Sequence, residues 1–233
     1  MSSDQLDIDA LARYLHLTPE KVQRLVHRGK IPGRKVGGRW VFSLPEIHQW
    51  LEEQIGLTED EQELHRLEEA FAPTSQEEMT IAELLPLAAV AVPLEARSQN
   101  SVIRQMVELA AGTGWLWDPD RMAQAVRRRE QLHTTALDSG VALLHPRRPL
   151  PQILQQPFLA FGRTVQGVPF GGSRGILTDL FFLILSTDDR GHLHTLARLS
   201  RMIGDVEFLR QLRQAPDAAS AHELICRREQ ELD

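Results

Sequence analysis

Cysteine occurs once in the chain, at Cys226, so an intramolecular disulfide is excluded, no cysteine cluster can hold a metal, and a reducing compartment is implied. Long apolar runs are missing too. The longest apolar stretch, Ile81 to Leu94, is interrupted by Glu83, Pro86 and Pro93, which excludes a membrane-spanning helix there. The opening MSSDQLDIDA has no basic region followed by an apolar one, so no export signal is expected and the cytoplasm is the expected location. No P-loop, Rossmann glycine pattern, H-E-x-x-H or nucleophile elbow occurs, and Gly171-Gly172-Ser173 alone is too little for a phosphate cradle. Independent catalysis is therefore not expected, nor is any cofactor or metal.

What remains is an ordinary soluble composition, 42% hydrophobic and 25% charged, in 233 residues. That length exceeds the ~100–200 residues usual for one domain and predicts two. The net charge of −6 conceals a strong asymmetry. Residues 1–50 hold eight Lys/Arg against five Asp/Glu, whereas residues 52–78 hold one Arg against ten Asp/Glu. For a modular protein the distribution says more than the sum.

Ile8, Leu11, Ala12 and Leu15 fall on one helical face. After the His16-Leu17-Thr18 connection, Thr18 suits an N-cap and Pro19 a first helical position; Val22, Leu25 and Val26 form the next buried stripe, and Gly29 suits the C′ position. Two short helices joined so tightly match a helix-turn-helix, whose second helix enters the major groove. Its exposed side is then Lys21, Gln23, Arg24, His27 and Arg28. Arg34 to Phe42 reads as two strands about the Gly37-Gly38 turn, a wing carrying Arg34, Lys35 and Arg39. Ser43-Leu44-Pro45-Glu46 has capping-box spacing and opens a third helix with Ile47, Trp50 and Leu51 buried.

The stretch DIDALARYLHLTPEKVQRLVHRGKIPGRKVGGRWVFSLPEIHQWL resembles the excisionase-like branch of the MerR-type winged helix-turn-helix family, through the G-K-I-P step, the V-G-G-R-W wing and the tryptophan at Trp50. The resemblance implies binding to double-stranded DNA. Arg34, Lys35 and Arg39 would neutralise phosphates, while Gln23, Arg24, His27 and Arg28 would reach base edges. A unit this small contacts few bases, so a homodimer on a palindromic site is expected. The alternative is that Lys21, Arg24 and Arg28 are the solvated face of a small helical domain.

Residues 1–56 are thus expected to form the winged helix-turn-helix domain, residues 57–78 an acidic linker helix and residues 79–233 a second domain. In the linker, Leu57, Leu64, Leu67 and Phe71 lie near heptad spacing, which leaves open a short dimerising helix or a spacer whose apolar residues dock on a neighbouring domain. Ala72-Pro73-Thr74-Ser75-Gln76 marks its end.

From Thr80 on, helical and strand patterns alternate, which predicts an α/β (α+β) domain with a mixed sheet flanked by helices. Helices are expected over 100–113, 119–131, 191–203, 206–214 and 218–231. Strands are expected over 141–144, 158–161 and 179–186, the last apolar enough for a sheet centre.

The segment RREQLHTTALDSGVALLHPRRPLP resembles the phosphohistidine region of the fructose/mannitol-type IIA domain of the sugar phosphotransferase system, nitrogen-regulatory relatives included. Its R-E pair falls on Arg129-Glu130, its S-T on Thr134-Thr135 and its phosphorylated histidine on His145. The later run FLILSTDDRGHLHTLARLSRMIGDVEFLRQLRQA is similar to the family's following strand and helices, with its second active-site histidine at His192. The resemblance implies His145 as phosphoacceptor, with Arg129 and His192 supplying charge to the phosphate oxygens. An imidazole with its ordinary pKa near ~6.5 is largely neutral in the cell and offers a ring lone pair to an activated phosphoryl group. Phosphoryl transfer then needs mainly positioning and charge stabilisation. Two positions depart from the family pattern, which has proline before the histidine and a small residue after it; here Leu144 and Pro146 stand there, and Pro146 lacks an N–H. His133 and His194 match no motif position, and Arg147 and Arg148 are nearby cations that simple solvation also explains.

The combined expectation is a DNA-binding transcriptional regulator whose IIA-like domain reads phosphotransferase status at His145, with a phosphohistidine carrier protein as a partner. The alternatives are a phosphocarrier to a sugar-transport IIB partner and a DNA-binding protein with an inactive IIA scaffold.

Overall fold

The computed structural model describes residues 5–15, 17–58, 61–71, 79–172 and 175–232. His16, the Ala72–Gln76 boundary sequence and Ser173 lie outside them. The chain divides into two compact units, Met1–Thr58 and Glu59–Asp233.

The first unit opens with β1 (Gln5–Leu6), α1 (Ile8–Tyr14) and α2 (Pro19–His27). Asp7 caps α1 by accepting from Ala10 N–H, and Thr18 caps α2 by accepting from Lys21 N–H, with Pro19 at the first position. Gly29 follows the α2 cap at φ +65°, the left-handed C′ geometry. Strands β2 (Arg34–Val36) and β3 (Arg39–Ser43) pair antiparallel, and Val36 opposite Arg39 leaves Gly37 and Gly38, both at positive φ, as a two-residue turn. The pairing of β1 with the far side of β3 was not expected from sequence, since two residues carry no periodicity.

Helix α3 (Leu44–Leu57) buries Ile47, Leu51 and Ile55. Two expectations are corrected here. Trp50 is only half-buried, the fully buried stripe running through Ile55 instead. Ser43 is the N-cap but its hydroxyl makes no capping bond: it ends β3 opposite Gln5, and Pro45 removes the N–H at the second helical position.

Within the acidic linker helix expected over residues 57–78, the described helix runs from Glu61 to Phe71. Thr58 is extended at the end of α3, and the next helix, α4 (Glu61–Phe71), belongs to the second unit. Leu64, Glu68 and Phe71 of α4 are buried.

The second unit continues with α5 (Ile81–Leu84), β4 (Val90–Ala91), α6 (Gln99–Ala111), α7 (Pro119–Leu132), β5 (Val141–Leu144), β6 (Phe158–Val168), β7 (Thr178–Leu185), α8 (Asp189–Ile203), α9 (Val206–Gln214) and α10 (Ala218–Gln230). The sheet order is β4-β6-β7-β5, with β6 and β7 antiparallel and both outer pairings parallel. This is the expected mixed sheet flanked by helices. Strand β6 is longer than expected, and Val168 rejoins β7 at Thr178 after a register break beyond Arg163. Alternate residues, among them Ala142, Leu144, Phe158, Ala160, Phe181 and Leu183, share a core with α6 and α7. The intervening Leu143, Leu159, Phe161, Leu180 and Phe182 are buried as well, so the sheet is covered on both faces. That coverage fixes the two positions that matter for the site: the end of β5 and the first turn of α8 after β7.

Candidate functional site

His145 follows the last residue of β5. Leu144 before it is paired with Leu183 in β7 and fully buried, so the residue that departs from the family pattern is an anchor of the sheet. The imidazole Nδ1 lies 2.7 Å from the Leu143 carbonyl oxygen. A carbonyl only accepts, so Nδ1 carries the hydrogen and Nε2 of the neutral ring keeps its lone pair. Pro146 follows, buried and without an N–H to offer.

His192 sits in the first turn of α8, which Asp188 caps through Gly191 N–H. Its ring centroid is 5.0 Å from that of His145, at 54°, and its Nδ1 is 3.3 Å from Ser186 Oγ. Thus two histidines 47 positions apart in sequence (145 and 192) meet because β5 and β7 are neighbouring parallel strands and α8 starts just past β7.

Arg129 lies in the last turn of α7 and donates from Nη1 to the His133 carbonyl at 2.9 Å, closing the helix. Glu130 beside it is buried and accepts from both the backbone N–H (3.0 Å) and the hydroxyl of Thr135. Burial pushes the Glu130 carboxyl above the ordinary carboxylate range; the Thr135 hydrogen bonds and the Arg129 charge oppose that shift without cancelling it. Thr135 in turn accepts from Leu143 N–H at 3.3 Å. Glu130 and Thr135 therefore link α7 to the strand residue whose carbonyl holds the His145 ring. Thr134 turns away, donating to the Phe170 carbonyl at 2.9 Å. His133 is exposed, with Nδ1 3.0 Å from the Thr134 carbonyl, while His194 is buried within α8. Arg147 and Arg148 are exposed.

In the first unit Lys21, Gln23, Arg24, His27, Arg28, Arg34, Lys35 and Arg39 are all exposed. Trp40 joins the two groups. The His27 ring meets it edge-on at 5.8 Å, and the Lys35 ammonium lies 5.2 Å from its centroid, so the last turn of α2 and the wing share one aromatic support. His27 Nδ1 donates to the Gln23 carbonyl at 2.6 Å. Elsewhere in the unit Tyr14 stacks on the buried His48 at 5.6 Å and is hydrogen-bonded to it, a pair with no advance signal in the spacing. No described helix is long and apolar enough to cross a membrane.

Comparison with known proteins agrees with both halves. A helix-turn-helix domain family matches residues 6–55, and the family described as phosphoenolpyruvate-dependent sugar phosphotransferase system, EIIA 2, matches residues 83–227. A nitrogen regulatory protein of Bradyrhizobium diazoefficiens is 30% identical over 151 residues, covering 63% of this chain and 95% of that protein. A fructose-specific EIIABC component of the phosphotransferase system of Bacillus subtilis is 29% identical over 149 residues, 63% of this chain; the chain spans 23% of the length of that relative. The solved complex of enzyme IIA and phosphorylated enzyme IIB for mannitol from Escherichia coli matches with a TM-score of 0.53 at 20% identity, covering 61% of this chain and 99% of that one, which speaks for the fold. With its sheet order, its paired histidines and a match over residues 83–227, the chain belongs to the EIIA type 2 family of the phosphoenolpyruvate-dependent sugar phosphotransferase system, carrying a helix-turn-helix domain ahead of it.

Proposed function

We propose that this protein is a DNA-binding transcriptional regulator whose IIA domain reads the state of the phosphotransferase system by phosphorylation of His145. The observation that carries the reading is the tether of the His145 ring: with Nδ1 committed to the Leu143 carbonyl, Nε2 is the nucleophile. In transfer from a phosphohistidine carrier protein, the Nε2 lone pair forms the new N–P bond as the donor's N–P bond breaks, and no proton has to leave Nε2. The His192 ring, 5.0 Å from that of His145, would supply charge to the phosphoryl oxygens, with Arg129, held at the His133 carbonyl, as a second cation. The exposed basic α2 and wing supply the DNA contacts, with phosphate neutralised by Arg34, Lys35 and Arg39 and base edges read from Gln23, Arg24, His27 and Arg28. A homodimer on a palindromic duplex gives such a small unit its specificity.

A second reading has one observation in its favour: Pro146 withdraws a backbone donor beside the acceptor, as in a IIA domain retained as a scaffold. Incubating the wild type and His145→Ala with a general phosphocarrier system and labelled phosphoenolpyruvate separates the two. Acid-labile phosphate on the wild type alone is the expected result, followed by a change in duplex affinity. Absence of label from both proteins supports the scaffold, and equal affinity before and after labelling refutes the coupling.

A further inference from the structure

Strand β5 is the outer strand of its sheet, with β7 on its inner side. Its outer edge is covered by a short return of the chain. Ala136 bridges Ala142 antiparallel, Leu137 N–H donates to the Val141 carbonyl at 2.8 Å, and Leu143 N–H donates to the Thr135 carbonyl at 3.3 Å. The turn between the two arms closes at Gly140, at φ +80°, whose N–H donates to the Leu137 carbonyl at 3.1 Å. Leu143 is thus held on the outer edge, and in an extended strand the N–H and C=O of one residue point to the same side. Its carbonyl therefore faces outward beside its own amide, where the Nδ1 of His145 meets it at 2.7 Å. What fixes the covering arm at this end is Glu130. Its carboxylate is buried in the last turn of α7 and accepts from Thr135 twice, through the backbone N–H at 3.0 Å and through the hydroxyl.

We propose that Glu130 is a positioning residue for His145: by clamping Thr135 on the edge of β5 it fixes the Leu143 carbonyl that keeps the imidazole hydrogen on Nδ1 and the lone pair on Nε2. The inference rests on the reading of His145 as phosphoacceptor. Which nitrogen of a neutral imidazole carries the hydrogen is set by the bonds the ring makes, and a hydrogen bond weakens steeply as its angle closes. A Leu143 carbonyl free to swing therefore stops choosing the tautomer. The other tautomer puts the hydrogen on Nε2 and leaves no lone pair there to form an N–P bond. Without the Glu130 carboxylate both donors of the buried Thr135 lose their acceptor, and the covering arm gains reason to leave the edge in search of another.

The ring tautomer tests this directly, read by long-range proton–nitrogen correlation spectra at neutral pH on the full chain with isotope-labelled histidine rings. The wild type is expected to show His145 with its hydrogen on Nδ1 and a bare Nε2. Glu130→Ala, or Glu130→Leu, which keeps the buried volume, is expected to average the two ring nitrogens between tautomers. Glu130→Gln retains an oxygen that accepts from Thr135 and is expected to restore the wild-type pattern. Glu229→Ala removes another buried carboxylate of the same unit and is expected to keep that pattern, which separates positioning from general loosening. In phosphoryl uptake from a phosphohistidine carrier protein, Glu130→Ala is expected to lose about 10–100-fold in kcat with the KM for the donor little changed, the size usual when an outer hydrogen-bond partner of a functional histidine is removed. A folded Glu130→Ala or Glu130→Leu chain with the wild-type His145 pattern overturns the inference, and so does equal loss of the pattern in Glu229→Ala. A wild type that takes up no phosphoryl group fails the phosphoacceptor reading instead, and the tautomer comparison still decides the role of Glu130.

Discussion

Glu229 offers the sharpest test of what holds the second unit together. It lies in α10, with its side chain 3% exposed, and its carboxylate accepts from the first two amides of α5, Ile81 N–H and Ala82 N–H (the latter at 2.8 Å), and from Arg198 Nε at 2.8 Å. Removing one partner from a buried ion pair costs about 3–5 kcal/mol, chiefly through the charge and donors left behind. Arg198 keeps Glu68 at 2.5 Å, which favours the lower figure for the pair; the two amides of α5 then keep the total for Glu229→Ala near ~4 kcal/mol. For a unit of this size each kcal/mol lowers the melting temperature by about 2–4 °C, so the transition of the second unit in calorimetry is expected to fall by about 8–16 °C. Glu229→Gln retains an acceptor oxygen for the amides and is expected to lose about half as much. Glu223 on the same helix, 74% exposed and paired only at the surface with Arg227, is the control: Glu223→Ala stays within about 0.5 kcal/mol of the wild type. A Glu229→Ala protein that melts within 2 °C of Glu223→Ala refutes the reasoning, because the burial and the three bonds would then carry no net stabilisation.

Three further outcomes follow from the same structure. Because burial raises the folded-state value of Glu130 above its ordinary 4.5, the folded protein holds that proton more tightly than the unfolded chain; its contribution is full at pH below the unfolded value and is lost as pH rises through the folded one. Glu130→Gln should flatten that loss, and urea midpoints at pH 4.5 and pH 7 that decline as steeply in the variant as in the wild type contradict it. Burial and then the Glu229 charge push the Cys226 thiol upward, so its reaction with a disulfide reagent at pH 8 is expected to be slower than that of a free cysteine peptide, and equal rates rule this out. On the proposed DNA-binding face, Lys35→Ala and Arg39→Ala should each lower the salt slope of duplex binding by about 1 while leaving sequence preference intact, whereas Arg24→Ala should relax preference at one base pair by about 1–3 kcal/mol; a changed preference without a changed slope in the wing variants reverses the assignment.

The elements legible in advance were those whose own residues decide them. Thr18-Pro19, the Gly37-Gly38 turn and the LFFLIL run each carry a local rule, and α2, the wing and β7 stand where those rules put them. Elements decided by distant partners were not legible. Strand β1 exists only because β3 offers it an edge, and Val90–Ala91 is a strand only beside Phe161 and Gly162. The pairing of His145 with His192 was reached through family resemblance, since sheet order cannot be read from strand patterns alone. The Glu68 bridge did leave a trace. Leu64, Leu67, Glu68 and Phe71 have the i, i+3, i+4, i+7 spacing of one helical face, and an acid on an apolar stripe asks for a buried cation. What the stripe could not say is that the cations are Arg198 and Arg201, more than a hundred residues away.

The departures at Leu144 and Pro146 weigh differently once the strand is in view. A residue at 144 must fill the sheet, and leucine opposite Leu183 does so with no exposed surface, so this position belongs to the sheet core. Proline at 146 removes an amide, but the ring is not held by that amide. It is held by the carbonyl of Leu143, two residues earlier and inside the strand, and Leu143 is itself fixed by pairing with Phe182 and by donating to the Thr135 carbonyl. On the proposed reading, orientation of the imidazole and stabilisation of a phosphoryl group are supplied by different parts of the chain. Pro146 also restricts the backbone of His145 before it, and in the proposed phosphorylated state charged side chains outweigh one neutral donor for an anion of this charge. The Nδ1 tether of the ring is thus made without an amide at residue 146, and under the proposed phosphoacceptor reading the exchange bears on the stability of the phosphorylated state.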